Sequence, residues 1–302
     1  MKRLITSFLI IGLPILSQAQ FDPYYKLYQF NQMMINPAYT GIYNRFTASF
    51  TSSMQWVGLE GAPVTNTLTV QSAIKRGQMG VGAMLINDKI GINNNNEAIV
   101  CGSYNLDLGE AKLGMGLQGG VVNYGYDPSL LELDHQDDPR LQGAFVNVTE
   151  PNFGAGLMLM NVNYFVGLSV PRILDVVEKD GGIVVTKYKK HFYLSGGYHF
   201  DTFASGSYKF TTLIRFVEDS DPSIDLSASS NVDGLIWFGL SARDLRHFGV
   251  FTFFNMGDRY RLGYAFELPT NSIVRDSYGT HQISLAFDAN FGRRQVMSNR
   301  NF

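Results

Sequence analysis

The chain of 302 residues has little of what most function classes require. It has one cysteine, Cys101, so no internal disulfide can form. Its five histidines are scattered, with no HExxH or CxxC spacing to hold a metal, and no cofactor is expected. The formal net charge is −2, so the chain lacks the basic surplus that a nucleic-acid partner demands. After residue 20 no run of about 18 apolar residues occurs, so no helix is available to cross a membrane. Glycine and aromatics are plentiful instead: 31 Gly, 22 Phe and 16 Tyr against 17% charged residues. Glycine and aromatics punctuating a weakly charged chain point to an all-β protein.

Residues 1–19 are expected to be removed. Lys2 and Arg3 precede an apolar stretch from Leu4 to Leu16, and Ser17-Gln18-Ala19 supplies small residues for cleavage after Ala19. An N-terminal anchor is the other reading, but the run is short for a span and Pro14 interrupts it. The chain is therefore read as exported.

From residue 44 onward the dominant pattern has a period of two. In His281–Phe291 the apolar set is Ile283, Leu285, Phe287, Ala289 and Phe291, set against Gln282, Ser284, Ala286, Asp288 and Asn290. Tyr260, Leu262, Tyr264, Phe266 and Leu268 alternate in the same way with Arg259, Arg261, Gly263, Ala265 and Glu267. Phe46, Ala48, Phe50, Met54 and Trp56 repeat it against Arg45, Thr47, Ser49, Thr51 and Ser53. Such alternation gives strands with one apolar and one wet face. A secreted β-sandwich alternates too, so length and aromatics must identify the solvent. Many of these segments approach the roughly 9–11 residues that a tilted strand needs to cross a bilayer, well above the soluble average of about 5–6. Aromatics also gather at strand ends: Trp56, Tyr124, Tyr188, Phe266 and Tyr278 at one set, and Tyr43, Phe46, Tyr164, Phe200, Tyr208, Tyr260 and Phe291 at the other. Two such girdles mark the two membrane interfaces. The expected fold is a transmembrane antiparallel β-barrel.

About fourteen strands are expected: 44–56, 65–74, 78–87, 96–108, 112–124, 151–160, 164–171, 189–201, 206–217, 222–231, 234–243, 246–256, 258–268 and 278–291. The strand at 246–256 alternates poorly because Phe251, Phe253 and Phe254 crowd together. Tight connections (75–77, 109–111, 161–163, 202–205, 232–233 and 257) alternate with longer ones (57–64, 88–95, 125–150, 172–188 and 269–277). Short turns belong on the periplasmic side of an outer-membrane barrel, which predicts both termini there. The chain then divides into a signal peptide at 1–19, an N-terminal segment at 20–43, a barrel at 44–291 and a periplasmic tail at 292–302.

No catalytic constellation is evident. Asp134-His135-Gln136-Asp137-Asp138 reads as a solvated acidic loop, Asn93–Asn96 as a loop tip and Cys101 as a small wall residue facing the lumen. Asn147-Val148-Thr149 matches a glycosylation sequon that has no default meaning in a bacterial outer membrane. The inward face is expected to carry Arg45, Asp107, Arg215, Asp225, Arg243, Arg259, Arg261, Glu267 and Asp288. These charges either line a channel or pair across a filled lumen, since 14 strands allow both.

Residues 21–41, FDPYYKLYQFNQMMINPAYTG, fit none of this. They do not alternate, and Pro23 and Pro37 bar both a wall strand and one continuous helix. Their aromatics require burial. The segment is expected to start beneath the lumen. From there it either folds inward as a plug, with Asn31 and Asn36 meeting the inward charges, or lies across the periplasmic mouth as a docking surface.

The same segment carries a family resemblance. Asp22, Pro23, Tyr25, Tyr28, Phe30, Asn31, Asn36, Pro37, Ala38, Tyr39 and Gly41 resemble the mature N-terminus of the PorP/SprF family of Bacteroidota. The likeness continues through Gln55-Trp56 with Gly61-Ala62-Pro63, then Asn87-Asp88-Lys89-Ile90-Gly91, Pro151–Gly156, Tyr164–Pro171 and Gly279–Leu285. The chain departs from the usual barrel ending, because residues 292–302 follow Phe291. The resemblance implies an outer-membrane barrel of type IX secretion and gliding-type adhesin display, not an enzyme. It implies partnership with other secretion components, including a periplasmic ring, or with a cognate secreted adhesin bearing a type B C-terminal domain. The rival reading is a diffusion porin or a FadL-like uptake channel, whose N-terminal segment would be a hatch.

Overall fold

A computed structural model of the chain describes residues 25–126, 146–180, 183–188, 190–202, 206–218, 220–270 and 277–289. Its strands are β1 (Phe46–Met54), β2 (Val64–Ile74), β3 (Met79–Ile90), β4 (Asn93–Asp107), β5 (Lys112–Tyr126), β6 (Val146–Met160), β7 (Tyr164–Val170) and β8 (Val176–Asp180). They continue as β9 (Ile183–Tyr188), β10 (His191–Asp201), β11 (Ser207–Val217), β12 (Ser223–Val232), β13 (Ile236–Arg243), β14 (His247–Met256), β15 (Tyr260–Pro269) and β16 (Thr280–Ala289). Fourteen of them close an antiparallel barrel in the order β1-β16-β15-β14-β13-β12-β11-β10-β7-β6-β5-β4-β3-β2, while β8 and β9 form a separate two-stranded sheet. The seam joins the first and last strands, Phe46 facing Ala289 and Met54 facing His281.

The wall separates two solvents by parity. Leu117 is 69% exposed and its neighbour Gln118 only 6%. Phe50, Leu85, Val100, Phe153, Leu168, Phe210, Leu240 and Leu285 likewise point outward, while Thr51, Thr67, Gln71, Ser227 and Ser284 are buried inward. An apolar exterior around a polar interior belongs to a transmembrane barrel in lipid. Inward hydroxyls pair across strands, Ser49 with Thr69 and Thr51 with Ser284, each at 2.8 Å, and Thr211 with Ser227 at 2.6 Å. At one end an outward aromatic belt forms: Phe200 stacks on Tyr208 (5.6 Å) and Phe210 (6.1 Å), and Phe287 packs against Tyr260 (5.3 Å) and Phe46 (6.5 Å). Two expected belt members belong elsewhere. Tyr124 is buried in the wall's inner face with Val122, and Tyr43 packs edge-on against Tyr39 of the N-terminal segment.

The connections 75–78, 108–111, 161–163, 202–206, 233–235 and 257–259 define a short-turn end. The opposite end carries 55–63, 127–145, 171–190, 218–222, the short 244–246 and 270–279, and is called here the long-connection end. Two expected loops there are not loops. β3 and β4 run on to a turn at 91–92, and Asn93–Asn96 lies in the ladder. Asn87 Nδ2 donates to Asn94 Oδ1 (2.8 Å) and Asn96 Oδ1 (2.9 Å), and these side-chain bonds offset asparagine's poor strand propensity. The stretch 172–188 contains the β8–β9 hairpin. β6 also starts earlier than expected, at Val146, so the Asn147-Val148-Thr149 sequon is strand. Asp134–Asp138 and Phe291 lie outside the described residues.

Candidate functional site

The lumen is occupied by the chain's own residues 25–43. Three short 3₁₀ turns, Lys26–Phe30, Gln32–Met34 and Pro37–Tyr39, succeed one another with breaks between them. Asn36 is extended, as a residue before proline prefers, and its Oδ1 accepts from Ala38 N–H at 2.9 Å. Pro37 stands at the first position of its turn, where its missing N–H costs nothing. Asn36-Pro37-Ala38-Tyr39 is thus a capped turn, which explains why it neither alternates nor extends.

The segment's polar groups meet the inner wall. Asn31 Nδ2 donates to Ser49 Oγ (2.8 Å) and Thr69 Oγ1 (2.5 Å). Asn36 Nδ2 donates to the Leu157 carbonyl at 3.0 Å. The two asparagines therefore meet hydroxyls and a backbone carbonyl, not the inward Arg and Asp side chains expected from the sequence. Ser169 Oγ and Ser103 Oγ donate to the carbonyls of Ile35 (2.6 Å) and Thr40 (2.5 Å), and Gly41 N–H donates to Gln71 Oε1 (2.9 Å).

Apolar side chains fill the remaining space. Tyr28, Met33, Ile35, Ala38, Tyr39 and Ile42 cluster with Met84, Ile99, Cys101, Met158, Phe165 and Tyr193. Leu27 and Phe30 join Trp237, Phe251, Phe253 and Ala265. The weak alternation of 246–256 has its cause here. Phe251 and Phe253 face inward onto the N-terminal segment, and Phe251 lies over Gly239, where an added Cβ would come within 2.2 Å of its ring. Phe165 covers Gly197 at 2.3 Å in the same manner. An inward aromatic facing a glycine on the next strand was the available sign that the lumen is packed.

Inward glycines also admit the Asn-Pro-Ala-Tyr turn. A Cβ on Gly156 would meet Asn36 Oδ1 at 2.1 Å, and one on Gly116 would meet Pro37 C and Ala38 N at 2.3 Å. Gly116→Val should therefore expel or distort the turn and cost about 1–3 kcal/mol, as overpacking does. Gly102→Val should be near neutral, because nothing lies within 4 Å of its Cβ. Urea midpoints in detergent, with protease access to the N-terminal segment, would check the contrast; equal behaviour of the two variants would contradict the close fit.

The expected charges divide into ion pairs and strays. Asp288 accepts from Arg261 Nε at 2.9 Å and from Thr47 Oγ1 at 2.7 Å, with Arg45 Nε 3.5 Å away. The Arg261 guanidinium also lies over the Phe30 ring, 5.3 Å from its centroid. Glu267 joins Arg243 and Lys26, both at 2.5 Å, and Lys26 stands 3.9 Å from Asp225. Lys26 is the partner that sequence reading missed; it is a lone cation in an aromatic stretch. Arg215 is buried beside Tyr25, Ser223 and Asp225 around a cavity of ≈ 20 Å³. A second cavity, between Phe30, Tyr39 and Arg45, measures ≈ 10 Å³. Each has room for about one water.

Two of the nine expected lumen charges are not in the lumen. Asp107 ends β4 with inward parity, but it is exposed and its Oδ1 accepts from Gly109 N–H (2.9 Å) in the turn beyond. Arg259 is exposed in the turn before β15 begins. Parity assigns a face only where the ladder continues, and at both positions it has ended. Asp22 and Pro23 lie outside the described residues.

Comparison with known proteins adds a family. The family model described as type IX secretion system membrane protein PorP/SprF matches residues 17–287. No curated protein sequence matches the chain. Among solved structures, the outer membrane protein Omp33 of Acinetobacter baumannii is similar over 83% of this chain and 100% of its own, at 12% identity and a TM-score of 0.48. CdiB from Acinetobacter baumannii is similar over 81% of this chain and 60% of its own, at 8% identity and a TM-score of 0.44. The KdgM porin is similar over 82% of this chain and 99% of its own, at 8% identity and a TM-score of 0.40. Likenesses this distant carry no functional argument.

Proposed function

The chain belongs to the PorP/SprF family of type IX secretion system membrane proteins, and from that premise we propose that it is a closed accessory barrel, not a solute pore. In this reading it sits in the outer membrane and supports export and surface attachment of a cognate adhesin-like protein with a type B C-terminal domain. Contact with the periplasmic secretion ring is the other role the family allows. The observation that carries the reading is the packed lumen: residues 25–43 fill it by side-chain burial and wall hydrogen bonds, which is the opposite of what a diffusion porin needs. Deleting the gene should abolish surface display of one or a few secreted proteins while the outer membrane stays intact. Loss of small-solute uptake alone would favour the uptake-channel reading.

The division at residues 19, 43 and 291 belongs to the same proposal, with 1–19 a cleaved signal and 292–302 a periplasmic tail. The short-turn end faces the periplasm, as short turns do in outer-membrane barrels. In a Cys101→Ser background, cysteine at Asn94, exposed near the 91–92 turn, should react with an impermeant maleimide on intact cells. Cysteine at Gln78, exposed at the short-turn end, should react only after permeabilisation. The reverse pattern would overturn the orientation.

A further inference from the structure

The N-terminal segment covers the two sides of the lumen to different heights. It enters β1 at the short-turn end, where the Ile42 carbonyl accepts from Lys112 Nζ at 3.3 Å, and Lys112 opens β5 at that end. Lys26 and Leu27 stand at the other end. Lys26 Nζ pairs with Glu267 near the end of β15 at 2.5 Å, with Asp225 near the start of β12 at 3.9 Å. Leu27 N–H donates to Gln282 Oε1, close to the start of β16, at 2.6 Å. The first described residues therefore lie at the long-connection end, on the β12–β16 side, and not beneath the lumen as the sequence reading expects. On β5 and β6 the Asn36-Pro37 turn sits lower, against Gly116 and Gly156, and inward positions continue above it.

Another part of the chain takes those positions. β7 stops at Val170, which faces Ala155, while β6 runs on through 146–154 beyond that pair. The chain leaving β7 turns inward here. Gln118 Nε2 donates to the Pro171 carbonyl at 2.8 Å, and a Cβ on Gly154 would come within 2.2 Å of the same oxygen. Gln118 and Gly154 are the next inward positions above Gly116 and Gly156, so Pro171 is stacked over the Asn36-Pro37 turn in one inward column. Arg172 is buried and reaches β4, where its Nε and Nη2 donate to the two carboxylate oxygens of buried Glu97 at 3.0 and 2.5 Å. Such a bidentate pair fixes direction as well as energy. Asn152 Nδ2 donates to the Leu174 carbonyl at 2.8 Å, and its Oδ1 accepts from the N–H groups of Ile173 (3.0 Å) and Leu174 (3.2 Å). None of these partners belongs to residues 25–43. We propose that residues 171–174 are a second closure of the lumen, a strap that roofs its β4–β7 side at the long-connection end and is latched by Arg172 on Glu97. The N-terminal segment and the strap then each cover one side of the mouth. The proposal deepens the closed-barrel reading and rests on it.

The test compares the full-length protein and a variant lacking residues 22–40 in planar bilayers. Each is measured with and without Glu97→Ala plus Arg172→Ala, a change that removes both charges and leaves neither buried alone. The full-length protein is expected to stay closed in both forms, because the N-terminal segment still fills the lumen beneath the strap. The deletion variant is expected to conduct, and freeing the strap in it should raise the unitary conductance roughly twofold, as uncovering the second side of a mouth of fixed strand number would. Gly154→Ala is a second route in the deletion background. Its added Cβ displaces Pro171 without touching the ion pair and should give the same larger steps. Equal unitary conductance with and without these substitutions, in folded deletion variants, would overturn the strap and leave the N-terminal plug standing. Channel steps from the unsubstituted full-length protein would overturn the closed reading, and the strap with it.

Discussion

Deleting residues 22–40 should turn a closed barrel into a conducting one. In planar bilayers the intact protein is expected to show no channel steps, and the deletion variant discrete ones. The expectation comes from what lines the emptied lumen. Ser49, Thr51, Thr67, Thr69, Ser227 and Ser284 are buried inward hydroxyls that water can solvate as readily as the segment does. The wall itself is held by an uninterrupted ladder from β1 round to β16, to which residues 25–43 contribute no strand. Removal therefore exposes a wet interior and leaves the barrel standing. It also loses the burial of Tyr28, Met33 and Ile35, at about 1.5–3 kcal/mol for each such side chain, so the variant should unfold at lower denaturant. Unchanged conductance in a folded deletion variant would sink the plug, because some other part of the chain would then have to close the lumen.

The second large effect is expected at Asp288. Its carboxylate is 3% exposed and is paired with Arg261 at 2.9 Å and Arg45 at 3.5 Å. Asp288→Leu leaves both guanidiniums enclosed without it and removes an acceptor from Thr47. Breaking a buried pair by taking one partner away costs about 3–5 kcal/mol, because the remaining charge is still desolvated. Urea midpoints in micelles should shift accordingly. The triple variant with Arg45→Met and Arg261→Met should recover most of the loss, since it removes the stranded charges as well. A cost below about 1 kcal/mol for Asp288→Leu alone is the value of an exposed pair, and would show that water reaches this cluster.

These two effects belong to different layers of information. The barrel wall was legible in the sequence because a ladder is a local, periodic object. Apolar Leu117 beside polar Gln118 declares two solvents, and the repeat of such pairs gives strand number and the face of each residue. Errors fell where periodicity stops. Asp107 and Arg259 were given a face in positions where the strand had ended, and Asn93–Asn96 was read as a loop because composition outweighed an alternation that side-chain hydrogen bonds preserve.

The N-terminal segment was legible only in what it could not be. Pro23, Pro37 and the aromatics Tyr24, Tyr25, Tyr28, Phe30 and Tyr39 excluded a wall strand and a solvated linker, and the resemblance of its motif named a family. Its place needed the tertiary structure. Gly116 and Gly156 come from different strands and admit Pro37 and Asn36 only once the wall has closed. Lys26 reaches Glu267 across 241 positions of sequence. Pairing over such distances leaves no periodic trace, so the sequence determined the wall and its two solvents, while only the closed barrel decided that its lumen is filled and that the segment climbs through it to the far end.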